Sequence, residues 1–135
     1  MSTNVPSSVC SNLWTSLYTV PDGALKPCCE YSELLVDDNG NVANAATSSL
    51  QEVFLGRNMA KLRQMSRSGE LPAGCSMCKN NEKVGVRSRR QYENDRYMAD
   101  HPEFMSTIQD EPIWPTELSL IFSSACNLKC RSRGP

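Results

Sequence analysis

The residues with most chemistry in this 135-residue sequence are its seven cysteines. Cys75 and Cys78 form a Cys-x-x-Cys pair directly after Gly74, and Cys10, Cys28 and Cys29 lie far upstream. Cys10, Cys28, Cys75 and Cys78 make four thiolates from three separated segments, a set that suits either a tetrahedral zinc ion or an iron–sulfur cluster. Spacing alone does not choose between them. Gly74 lets the backbone approach whatever Cys75 binds. Cys75 and Cys78 stand where a helix can begin, and the N–H groups and dipole at that end favour thiolate. Neighbouring Cys28 and Cys29 point to opposite faces of a strand, so only one of the two can easily be a ligand. Cys28 is preferred, with Cys29 as its substitute and otherwise a small buried apolar side chain. A second pair, Cys126 and Cys130, lies close to the C-terminal end.

Bulk properties limit the alternatives. Fourteen basic against fifteen acidic residues give a net charge of -1, without the basic excess that general nucleic-acid binding needs. Neither a signal peptide nor an apolar run long enough for a bilayer is visible, so the expected location is the cytoplasm and no membrane partner is expected. Thiols stay reduced there, and an odd count of seven leaves no complete internal pairing. Metal or redox chemistry is favoured over a disulfide frame.

Several elements must position the thiols. Leu13 to Val20 mixes aromatic, β-branched and hydroxyl side chains and predicts a strand. Pro21-Asp22-Gly23 predicts a turn, and Ala24 to Cys29 a returning strand that Pro27 confines to an edge or an end. Such a hairpin folds Cys10 back towards Cys28. After a loop over 30–46, Ser49-Leu50-Gln51-Glu52 predicts a capped helix start, with one helix running to a C-cap at Gly69. A second helix is expected from Ser76 to Met98. Met59 and Met65 read as core, His101 beside Pro102 as an exposed loop residue, and Arg87, Arg89 and Arg90 as a solvated helix face. Thr116 to Phe122 predicts a further strand with Leu118, Leu120 and Phe122 on one face.

Residues 10–97 resemble the twitch/SPASM type of auxiliary iron–sulfur domain of radical SAM enzymes. The resemblance rests on Cys10, Trp14, the Pro21-Asp22-Gly23 turn and Pro27-Cys28-Cys29. It continues through Gly40-Asn41, Ser49 to Val53, Leu62-Arg63, Gly69 to Cys75, Cys78, Glu82, Gly85, Ser88 and Arg89. It implies one [4Fe–4S] cluster held by Cys10, Cys28, Cys75 and Cys78. Val84 stands where the longer SPASM pattern has another cysteine, which makes the chain similar to the one-cluster twitch form.

The stretch from Thr116 onward resembles the opening of a radical SAM core, a strand followed by Cys-x-x-x-Cys-x-x-Cys. Cys126 and Cys130 fit the first two positions of that cofactor-binding motif, and Arg133 occupies the third. Arginine stays protonated and cannot ligate iron. A full core would also need on the order of 150 further residues, at about 30 per βα unit. The expected organisation is an N-terminal disordered stretch (1–9), an iron–sulfur domain (10–98), a linker (99–115) and the opening fragment of a radical SAM core (116–135). The expected fold class is α+β: a small hairpin and helices around a cysteine-ligated cluster, then the first strand of an incomplete α/β barrel.

The functional expectation is an auxiliary cluster module of a radical SAM enzyme, for electron transfer or substrate positioning, without catalysis of its own. S-adenosylmethionine would bind only with a complete core supplied, by a complementary core chain as partner, and the substrate would be a peptide or a small molecule. The alternative is a zinc-stabilised binding module on the same four cysteines. A third reading is a fragment without function of its own, with Leu118 to Phe122 as an unpaired edge.

Overall fold

In the computed structural model, which describes residues 8–121 and 123, Pro21-Asp22-Gly23 closes an antiparallel hairpin. It joins β1 (Ser16–Thr19) to β2 (Leu25–Lys26), pairing Tyr18 with Lys26 and Thr19 with Leu25. Gly23 has φ +93°, a conformation that costs glycine little, and its N–H donates to Val20 O at 2.8 Å. Both strands are shorter than the sequence predicts. Asn12–Thr15 forms a helical turn, α1, in place of the first half of the expected strand. The Thr15 hydroxyl, which reads as a strand former, bonds back onto that turn instead, Thr15 Oγ1 to Ser11 O. At the other end β2 stops before Pro27, which has no N–H to pair.

A third strand, β3 (Glu117–Leu120), pairs with β1 in parallel from Ser16–Glu117 to Thr19–Leu120, giving the sheet order β2-β1-β3. Leu118 and Leu120 remain exposed. The sheet and its helices make an α+β fold.

Each of the two expected long helices is broken. The first divides into α2 (Leu50–Phe54) and α3 (Arg57–Arg67). Ser49 caps α2 by accepting from Glu52 N. Gly56 then interrupts, and Asp38 reaches in to accept from Arg57 N at 2.9 Å, starting α3 afresh. Glu70 N donates to Met65 O at 2.9 Å across Gly69, the expected C-terminal closure. The second divides into α4 (Ser76–Lys83) and α5 (Arg89–Asp100). Gly85, at φ +80°, turns the chain, and Ser88 with Gln91 forms a reciprocal capping box that begins α5.

Leu13, Trp14, Leu17, Leu25, Phe54, Met59 and Leu62 meet in one core. The stretch 99–115 contributes Phe104 and Ile108 to it, and Trp14 meets Phe104 edge-on at 5.7 Å. Arg63 is fully buried among these groups. It donates to Leu13 O (2.7 Å) and Phe54 O (2.6 Å) and pairs with Glu111 at 3.0 Å. His101 stacks on Tyr97 at the surface. Among the described residues, no helix is long and apolar enough to cross a membrane. Residues 1–7, Phe122, Cys126, Cys130 and Arg133 lie outside the described residues, so the expectations placed on them have no structural counterpart.

Candidate metal centre

Cys10 O accepts from Leu13 N at 3.1 Å, and residues of α3 and α5 bond the rest of the segment around it. Cys10 N donates to Ser66 Oγ at 3.2 Å, and Ser66 and Ser8 exchange further bonds through hydroxyl and carbonyl. Asn94 accepts from Ser11 N at 2.7 Å and donates to Val9 O at 2.7 Å. Arg90 Nη1 donates to the same Val9 carbonyl at 2.8 Å. The residues on both sides of Cys10 are thereby fixed by long-range polar contacts.

Cys28 follows β2. Ser16 Oγ donates to Pro27 O at 2.5 Å, holding the end of the hairpin, and Tyr31 N donates to Cys28 O at 3.3 Å, closing the turn beyond it. This turn then meets the third segment: Ser32 N donates to Gly74 O at 2.9 Å, and the Tyr31 ring fills the space a Cβ on Gly74 would need. Cys75 ends a 3-10 turn (Ala73–Cys75) and is the N-cap of α4, whose first turn carries Cys78.

These arrangements bring Cys10, Cys28, Cys75 and Cys78 to the wall of one pocket. Asn12, Glu30, Tyr31, Arg89 and Arg90 complete it. Cys10 and Cys78 are buried, Cys28 and Cys75 half-buried, and all four are free thiols. Cys29 does not line this pocket. It is exposed, which corrects its reading as a small buried side chain. The arginine run divides too: Arg87 and Arg89 are solvated, but Arg90 is buried and paired with Glu82 of α4.

The electrostatics of the pocket oppose bare thiolates. Burial and then the Cys28 thiol push Cys10 far above the ordinary thiol range. Burial raises Cys28 from 9.0 to about 11, partly offset by the Glu30 and Tyr31 N–H groups. Cys75 rises to about 12, through burial first, then Cys28 and Cys78, with Arg90 opposing. Cys10, Cys28 and Cys75, whose ionisation burial hinders, make with Cys78 a donor set suited to a cationic metal group, which ionises its thiol ligands on binding. Among the described residues, no group of three or more His, Cys, Asp and Glu side chains is placed to hold one metal ion. A four-iron cluster makes a different demand, because each thiolate takes its own iron.

Sequence reasoning did not identify Tyr31, Asn12 or Arg90 as pocket residues. The Ser88-x-x-Gln91 capping box marks where α5 starts, but the burial of Arg90 depends on Glu82 and Val9 from other segments.

A family model described as the SPASM iron–sulfur cluster-binding domain matches residues 10–79, a span that contains all four cysteines of the pocket. No curated protein and no solved structure matches the chain.

Proposed function

The chain belongs to the SPASM iron–sulfur cluster-binding domain family, and from that premise we propose that it is the auxiliary [4Fe–4S] module of a radical SAM enzyme. The observation that carries this reading is the convergence of Cys10, Cys28, Cys75 and Cys78, from three segments, on one pocket inside the matched span. Those four residues are the proposed ligands. When bound, the cluster supplies a one-electron couple for electron transfer or a fixed site for substrate positioning. The protein holds the thiols in place through Ser66 and Asn94 around Cys10 and through the Ser32–Gly74 bond between the second and third segments.

The same proposal makes the module non-catalytic alone. Arg133 stands at the third position of the core-like motif that begins with Cys126 and Cys130. S-adenosylmethionine chemistry would therefore need a complete core cysteine motif, which Cys126, Cys130 and Arg133 do not make, with a peptide or small molecule as substrate. The alternative is a zinc-stabilised binding module on the same four cysteines, which metal and sulfide content separates from the cluster reading.

Electron paramagnetic resonance of the anaerobically reconstituted chain tests the proposal. Dithionite reduction should give a paramagnetic signal near one spin per chain, and S-adenosylmethionine added with reductant should give no deoxyadenosine above a no-protein control. A protein without a reducible iron signal contradicts the cluster reading. Deoxyadenosine above control contradicts the non-catalytic one.

A further inference from the structure

Arg90 is a buried cation at the cysteine pocket. Its side chain is 7% exposed, and it shares the pocket wall with all four cysteines. Nε donates to Glu82 Oε2 at 3.3 Å, Nη2 pairs with the other Glu82 oxygen, and Nη1 donates to Val9 O at 2.8 Å. Glu82 belongs to α4, four residues after Cys78, and its side chain is 18% exposed. The guanidinium is thus fixed in direction and shielded from solvent, conditions under which a charge acts over distance with little screening.

We propose that Arg90 is a positioning residue that sets the reduction potential of the cluster held by Cys10, Cys28, Cys75 and Cys78, with Glu82 as the opposing charge. The inference rests on the cluster reading above. Reduction transfers one electron from the reductant to the cluster, with no bond or proton changing hands. A fixed positive charge beside the site favours the state with the added electron, and a fixed negative charge disfavours it. Arg90 and Glu82 therefore act with opposite sign, although both contribute to the same clamp between α4, α5 and the Cys10 segment.

That difference in sign separates an electrostatic role from a purely mechanical one. Asn94 Nδ2 also donates to Val9 O, at 2.7 Å, so the Cys10 segment keeps a donor when Arg90 is replaced. Loosening the clamp from either end would disturb the cluster in the same way, whereas removing charges of opposite sign moves the potential in opposite directions.

The experiment is a potentiometric titration of the reconstituted full chain with dithionite, followed by paramagnetic resonance, with iron and sulfide counted on every sample. Arg90→Gln should lower the midpoint potential, Glu82→Gln should raise it, and Arg90→Lys should stay close to the parent. Equal potentials throughout, or Arg90→Gln and Glu82→Gln moving together, would overturn the assignment while leaving the cluster reading intact. Should Arg90→Gln fail to retain iron, the other two variants decide. A raised Glu82→Gln potential with Arg90→Lys near the parent supports the assignment, and an unmoved or lowered Glu82→Gln potential overturns it. A parent chain without iron and sulfide defeats the cluster reading, and the Arg90 assignment with it.

Discussion

The Tyr31 ring packs against Gly74 so closely that a Cβ on Gly74 would overlap it. Tyr31 is buried, and the adjoining Ser32 N–H donates to Gly74 O at 2.9 Å. This contact is the seam between the turn carrying Cys28 and the turn carrying Cys75, so the register of two cysteine-bearing segments depends on a residue with no side chain.

Gly74→Ala should therefore destabilise the chain by about 1–3 kcal/mol, the usual cost of overpacking a filled site. It should also lower the iron retained after reconstitution. Urea denaturation of Gly74→Ala, Tyr31→Leu and the double variant checks the cause. The two substitutions should couple, with the double variant losing less than the sum. Strict additivity would show that the Tyr31 ring is not what the added methyl meets.

The paired cysteines give a second comparison. Cys28 lines the pocket and Cys29 is exposed outside it. Cys29→Ser should leave the iron content at the parental level and change stability by about 0.5 kcal/mol or less, as surface substitutions do. Cys28→Ser, Cys75→Ser and Cys78→Ser should each lose most of the iron. Iron loss in Cys29→Ser with retention in Cys28→Ser would exchange the two assignments.

The cysteine pattern made the site legible because Cys-x-x-Cys spacing, Gly74 and the Pro21-Asp22-Gly23 turn each act locally. Gly23 does take the left-handed conformation, and Cys75 and Cys78 do begin a helix. What the sequence hid was decided by distant partners. Asn94 accepts from Ser11 N where the strand-like stretch became a helical turn, and Asp38 started α3 from another part of the chain. Arg90 read as solvated because its counter-charge, Glu82, comes from a different helix once Gly85 has broken the run. Arg63 is buried for a similar reason, since two main-chain carbonyls and Glu111 satisfy its guanidinium.

The thiols also predict a pH response for the reduced, metal-free chain. Cys28 and Cys75 titrate at about 11 and about 12 when folded, against 9.0 ordinarily. A raised folded value means that the folded chain holds its protons longer than the unfolded chain. Their contribution to stability is then complete below pH 9 and is lost as pH rises through 11 to 12. Urea midpoints should fall over that window, and less steeply in Cys28→Ser or Cys75→Ser. With metal bound the direction reverses, because protons then compete for the thiolates and acid should release the iron. A variant as steep as the parent would remove these thiols as the source of the alkaline loss.

The most direct test of the central claim is the iron, acid-labile sulfide and zinc content of anaerobically purified chain. One [4Fe–4S] cluster requires about four irons and four sulfides per chain, with loss of both in Cys75→Ser. One zinc per chain without sulfide, in protein that is folded, would contradict the account.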